Sequence, residues 1–306
     1  MTPAIACVLL FLPLSGASPP VADGESEFQA ALDLVQRRMD SSKWKEARTL
    51  LDESLAAHQG KDYVLGRLAL VQGCFQRIAF GSTHPRKEAK DVLHGEVLDW
   101  DARKSEIRLR YRREDAVRWP QPDEPIRAGR KRPSFPLGDF AEEGEYLVLA
   151  VPFDGPHQVQ FRGSAVGDTN PRILVCLGDQ GSYRMTYDAS EASTIVHVTK
   201  DGEDTLAYNG KFFNVRRPYK LKASVFQKNM TLAYDGAKLL DAPKPPTTWG
   251  RLGYRTISNL EEILVTGQVQ AGWIEKRIQE ATDKEWAEFI GGYDVKADLP
   301  GWLRPK

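Results

Sequence analysis

The chain is poor in almost everything that usually announces a function. Forty-two Lys and Arg are matched by 42 Asp and Glu across 306 residues, so the formal net charge is zero. No global field therefore favours nucleic acid or an anionic membrane, and any charge-driven partner has to be met by a local patch. Cysteine occurs three times, at Cys7, Cys74 and Cys176, without the spacing of a metal site or a redox pair. The five histidines, His58, His84, His94, His157 and His197, are scattered with no metal spacing among them. There is no serine elbow and no Gly-rich phosphate loop. Long apolar runs are missing too: the best one, Ala4 to Leu12, is too short to cross a hydrocarbon core of about 30 Å.

That run is followed by Pro13 and by Ser15-Gly16-Ala17, the pattern of a secretory signal over residues 1–17 with cleavage after Ala17, although its start carries no Lys or Arg. The expectation is a secreted or periplasmic (cell-envelope) protein with no membrane span in the mature chain. Export would leave Cys74 and Cys176. An oxidising compartment permits them to pair. Their settings, a helical pattern for Cys74 and the apolar run Ile173 to Leu177 for Cys176, equally suit two buried free thiols, and both readings stay open.

From residue 26 to residue 80 the apolar period is helical. Phe28, Ala31, Leu32 and Val35 line a first helix, Trp44, Ala47, Leu50, Leu51, Ser54 and Leu55 a second, and Val64, Leu65, Leu68, Leu70 and Val71 a third. Ser42 and Asp62 are the expected N-caps. The stretch from Lys43 to Ala56 resembles one tetratricopeptide-type repeat. Such stacks need about three repeats for stability, so the segment reads as a helical cap, with a partner-binding groove as the alternative.

Beyond residue 92 the period falls to two. Ile107 to Tyr111 alternates with arginines on its outer side, and the short Asp101 to Lys104 connection would join it to the strand before it. Strand signals recur at residues 146–151, 157–161, 172–177, 183–187, 194–199 and 205–208. In the segment after Pro218, Tyr219, Leu221, Ala223 and Val225 face one way, Lys220, Lys222 and Ser224 the other. Asp235-Gly236 suits the positive φ angles of a two-residue hairpin. About a dozen short strands with few helices between them predict two packed antiparallel sheets over residues 92–270, a jelly-roll sandwich. A last helix and tail occupy residues 273–306. Its stripe of Ile274, Ile278, Trp286 and Phe289 is expected to pack on the N-terminal helices.

The order Pro218-Tyr219-Lys220-Leu221, Leu232 to Gly236, Leu239-Leu240-Asp241, Trp249-Gly250-Arg251-Leu252-Gly253 and Ile263 to Gly267 resembles the closing strands of concanavalin A-like (laminin G-like) sandwiches. It is nearest to exported bacterial 3-keto-disaccharide hydrolase-like domains. About fifty residues match well and some 180 loosely. The resemblance implies a fold, and enzymes on that scaffold carry paired carboxylates, about 5 Å apart for retaining sugar hydrolysis. The laminarinase-type run Glu-x-Asp-x-x-Glu is missing. Glu142-Glu143 and Glu261-Glu262 are adjacent acids that would point to opposite faces or sit in loops.

Two groups suit binding instead. Arg108 and Arg110, with Arg112 beside them, could meet an acidic polysaccharide or another anion. Trp100, Trp119, Trp249 and Tyr254, with Arg251 between the last two, could offer flat surfaces to sugar rings. No cofactor and no metal are implied. The sequence therefore points to an exported, non-catalytic protein binding a polysaccharide or a cell-surface protein. The alternative is a sugar-active hydrolase or lyase of the 3-keto-disaccharide hydrolase-like type.

Overall fold

The computed structural model describes residues 23–112, 138–144, 146–164, 171–179, 181–187, 192–210, 218–243, 249–255 and 259–304. The residues 1–17 read as an export signal lie outside this set. So do Trp119 and the Arg-rich stretch that follows it. The chain divides into two compact units, one of residues 1–86 and 285–306, the other of residues 87–284.

The first unit is helical: α1 (Gly24–Asp40), α2 (Trp44–Ala57), α3 (Asp62–Leu65) and α4 (Leu68–Thr83). Asp23 caps α1, its carboxylate accepting from the Ser26 amide at 2.7 Å. The third expected helix is in fact two, interrupted at Gly66-Arg67. Ser42 is not a cap: it sits at φ 57°, and Lys43 precedes α2. Asp62 is the first residue of α3 rather than its cap. Phe28, Leu32, Val35, Leu51, Leu55 and Phe75 make the centre of this core, which also takes in Leu299 and Leu303 from the C-terminal tail. Arg48 ties the tail down, lying 4.5 Å over the Phe75 ring and donating to Asp52 and Asp298 at 2.9 and 3.0 Å. Cys74 is buried here as a free thiol.

The second unit opens with the single-turn helix α5 (Ala89–Val92), then β1 (Glu96–Asp101), β2 (Glu106–Arg112), β3 (Phe140–Glu143), β4 (Tyr146–Leu149), β5 (Phe153–Ser164), β6 (Arg172–Gly178) and β7 (Gly181–Thr186). There follow β8 (Ser193–Val198), β9 (Glu203–Asn209), β10 (Pro218–Val225), β11 (Asn229–Tyr234), β12 (Ala237–Pro243), β13 (Trp249–Arg255) and β14 (Asn259–Val269). All pairings are antiparallel. One layer runs β1-β2-β14-β5-β10-β11-β12. The other runs β3-β4-β13-β6-β7-β8-β9. This is the expected jelly-roll sandwich. The two ladders are stitched together at one corner, where Trp249 and Gly250 of β13 pair with Asp154 and Phe153 of β5 before the strand moves into the second layer.

Alternation sets the buried sides. Ile107, Leu109 and Tyr111 of β2, Leu221, Ala223 and Val225 of β10, and Ile263 and Val265 of β14 meet Ile173 and Val175 of β6, Met185 of β7 and Leu252 of β13 in one core. In β6 the alternation is broken by a bulge: Cys176 takes φ 54°, so Val175 and Cys176 both point inward, while Leu177 still pairs with Arg251. Cys176 is buried here as a free thiol, and burial pushes it up to about 12. Asp235 and Gly236 take φ 46° and 84°, the tight turn read from the sequence.

The final helix, α6 (Trp273–Gly292), departs from expectation. Trp273, Ile274, Ile278 and Ala281 pack on the sandwich core. The unit division falls within the helix, and Trp286 and Phe289 meet Phe80 of the helical unit at 5.1 and 5.4 Å. The stripe expected to cover one surface is thus shared between two. No described helix is long and apolar enough to cross a membrane.

Candidate functional site

Because inward residues of each strand are fixed by the core, the outward ones follow, and the two outer faces differ in chemistry. On the outer side of the first layer, Arg110 opposes Glu96 and forks its carboxylate at 2.9 and 2.6 Å. That hydrogen bonding holds Glu96 below the usual carboxylate range. Arg108 is exposed on the same face, opposite Asp99. The arginine strip read from the sequence is therefore real as a strand face, with part of its charge matched by β1. Trp100 is on the inner side of β1 and packs against the core, because a bulge between Val97 and Asp99 turns both Val97 and Trp100 inward.

The outer side of the second layer is richer. In β13, Leu252 and Tyr254 face the core, so Arg251, Gly253 and Arg255 face out. Tyr254 corrects the sequence reading: it packs among Phe140 and Phe161, with ring centroids at 5.9 and 5.2 Å, and burial pushes its phenol well up. It offers no surface to a ligand. Arg251 forks Glu143 of β3, one contact being 3.0 Å, and Arg184 of β7 forks Glu203 of β9, one contact being 2.8 Å. The Arg184 hydrogen bond, with Arg172 adding to it, holds the Glu203 carboxyl below its ordinary value.

Register then assembles a row that no single segment displays. Glu143 pairs with Tyr146, Arg255 with Arg172, Arg172 with Thr186, Thr186 with Thr194, and Thr194 with Tyr208. Tyr146 on β4 is the neighbour of Arg255, since Leu147 pairs with Tyr254. The row Tyr146, Arg255, Arg172, Thr186, Thr194, Tyr208 thus crosses six strands. At about 4.8 Å between strands it spans roughly 24 Å. Tyr208 is the most exposed large hydrophobic side chain described, at 69%. At a rim of the layer Trp249 is 43% exposed, its ring lying over Gly178, where an added Cβ would come 2.9 Å from it. Flat aromatic surface, hydroxyls and guanidinium forks are the means by which proteins hold polyhydroxylated ligands.

One buried acid escaped the sequence reading altogether. The Asp139 carboxylate is buried and accepts from the His94 amide (2.7 Å), the Gly95 amide (2.9 Å) and the Tyr111 hydroxyl (3.0 Å). The His94 ring approaches its other oxygen at 3.5 Å. These bonds fasten the entry of β1 to β2 and β3. Nothing in the sequence around Asp139 marks it, because all its donors are about thirty to forty-five residues away. No described group of three or more His, Cys, Asp or Glu could hold a metal.

No protein-family model matches the chain, and no curated protein matches it. Solved structures do overlap with it. The carbohydrate binding module CBM66 from Bacillus subtilis is 12% identical, with 42% of this chain and 88% of that one covered at a TM-score of 0.32. Sheep galectin-11, in complex with glycerol, is 14% identical over 41% of this chain and 98% of that one, at 0.33. A Bacillus subtilis protein of galectin-like fold is 10% identical over 40% and 77%, at 0.35. The class of this chain follows from its own ladders: a mainly antiparallel β-sandwich of jelly-roll type with N-terminal helices and a C-terminal helix.

Proposed function

We propose that the protein is an exported carbohydrate-binding sandwich of the cell envelope, and that the outer face of the β3-to-β9 layer is its binding surface. The observation that carries this reading is the aligned row from Tyr146 to Tyr208, with aromatic side chains at its ends and polar ones between. Its length suits an extended chain of several sugars better than a single ring. Trp249 and the Arg251–Glu143 fork extend the surface toward the rim. Export is supported by the apolar segment and small residues that open the sequence. The resemblance of the closing strands to 3-keto-disaccharide hydrolase-like domains supports this reading.

Catalysis is the weaker reading. Hydrolysis needs a carboxylate pair aimed at one bond, whereas Glu143 and Glu203 are each committed to a different arginine on strands far apart in the layer.

Affinity electrophoresis against a panel of soluble polysaccharides tests the proposal. Tyr208→Ala and Trp249→Ala should each weaken retention about tenfold, the cost of roughly 1–2 kcal/mol typical of an aromatic anchor, while their circular dichroism stays unchanged. Arg108→Ala, on the other layer, should bind as the wild type does. Retention lost in Arg108→Ala but kept in Tyr208→Ala would move the site to the other face.

A further inference from the structure

Residues 294–304 close upon themselves. They form α7 (Val295–Asp298) and a 3-10 turn (Gly301–Leu303). Asp294 caps α7, its carboxylate accepting from the Lys296 amide at 3.0 Å. The Leu303 amide donates to the Pro300 carbonyl, and Arg304 folds back to donate to the carbonyls of Leu299 and Ala297 at 3.0 and 3.2 Å. Among the described residues, no backbone group of this tail bonds to α1, α2, α3 or α4. Side chains alone attach it to the helical unit. Leu299 and Leu303 are buried in the helical core, Val295 and Trp302 pack against it, and Asp298 pairs with Arg48 at 3.0 Å. Apolar anchors beside one oriented charge are the means by which a short segment docks on a helical surface.

The seat has its own supports. Arg48 is held from its own side, donating to Asp52 at 2.9 Å and lying 4.5 Å over the Phe75 ring. Leu51 of α2 and Phe75 of α4 are buried with Phe28, Leu32 and Val35 of α1. Ahead of the tail, Gly291 and Gly292 end α6 with open space around both, so the backbone is freest where the tail would swing away. We propose that this seat on α2 and α4 is a peptide-binding surface filled by the chain's own tail, and that its partner is a protein segment of the tail's chemistry. Such a segment offers an acidic residue to Arg48, then a leucine at the next position and a second leucine four positions further on, as Asp298, Leu299 and Leu303 do. The tail competes in cis at an effective concentration on the order of millimolar, so a free peptide of the same sequence binds the intact chain weakly. This surface belongs to the helical unit and does not rest on the carbohydrate reading.

A fluorescein-labelled peptide of residues 293–304, titrated into the full chain and into full-length Leu299→Ala/Leu303→Ala, tests the proposal by anisotropy. The double variant, whose own tail has lost its anchors, should bind the peptide about tenfold tighter than the wild type, or more. Adding Arg48→Ala to the double variant should weaken that binding about threefold or more. Unlabelled peptide should raise the melting temperature of the double variant and leave that of the wild type unchanged, a readout that holds even where the variant is partly unfolded. Hydrogen exchange on the unaltered chain is the second measurement: the amides of Ala297 and Leu303 should exchange faster than those of α2 and α4. Equal affinity of the peptide for both proteins, or for neither, would make the tail a permanent part of the core and overturn the proposal. So would exchange of Ala297 and Leu303 only in step with α2 and α4. A wild-type chain that dimerises as its concentration rises, with the dimer lost in Arg48→Ala, would give the seat to the tail of a second copy and overturn the choice of a foreign partner.

Discussion

His157 shows how burial without compensation makes stability depend on pH. Its ring stacks on Phe153 at 5.1 Å and Nδ1 lies 2.8 Å from the Gly155 carbonyl oxygen, while Nε2 is buried with no partner. Burial lowers its pKa from 6.5 to about 4, the hydrogen bond to Gly155 opposing only part of the shift. Between those two values the unfolded chain takes up a proton that the folded one excludes. The contribution of a neutral buried His157 is complete above about pH 6.5 and drains away as pH falls toward 4. At pH 4.5 that amounts to about 2–3 kcal/mol. Urea unfolding at pH 7 and pH 4.5 should show a smaller difference in His157→Phe than in the wild type, by about that amount. An identical difference in both proteins would acquit this side chain. At the same scale, the burial of Tyr254 is legible in the strand pattern. Leu252 and Tyr254 share parity, so a strand that buries one buries the other. Trp100 was not readable, because the bulge at Val97 and Asp99 shifts parity in the middle of β1.

At the level of elements, the period-two signal located the strands well, and the Asp235-Gly236 turn fell where its chemistry required. What periodicity does not carry is which strand lies beside which. Arg255 and Arg172 are separated by some eighty residues, and Arg251 and Glu143 by 108, so the candidate surface exists only once register is known. The earlier arginine strip on β2 was visible because it is local. β13 is the most demanding element. Gly250 sits at φ 137°, and a Cβ there would come 2.6 Å from the Cys176 carbonyl carbon at the corner where the strand passes between layers. Gly250→Ala should therefore cost about 3 kcal/mol or more in denaturant titrations. Gly236→Ala has open space around it and suffers only its positive φ, for a loss of about 1–2 kcal/mol. Equal losses would mean that conformation alone, and not the close approach, governs the corner.

For the molecule as a whole, the two compact units depend on the end of the chain in different ways. Leu299 and Leu303 complete the helical core, and Asp298 holds Arg48 against Phe75. Each buried leucine contributes about 1.5–3 kcal/mol. A stop after Tyr293 should thus remove about 3 kcal/mol or more and speed hydrogen exchange in α2 and α4. Unchanged protection there would show the tail to be dispensable. The sandwich depends on β14 in a more basic way, for this last strand lies between β2 and β5, at the middle of its layer rather than its margin. During synthesis β2 and β5 emerge long before their shared neighbour, each with an unfilled ladder that could recruit a strand from another chain. Native pairing has to wait for the ribosome to deliver residues 259–269, so for about a hundred residues after β5 is complete the nascent layer carries a gap through its centre that only the final strand fills.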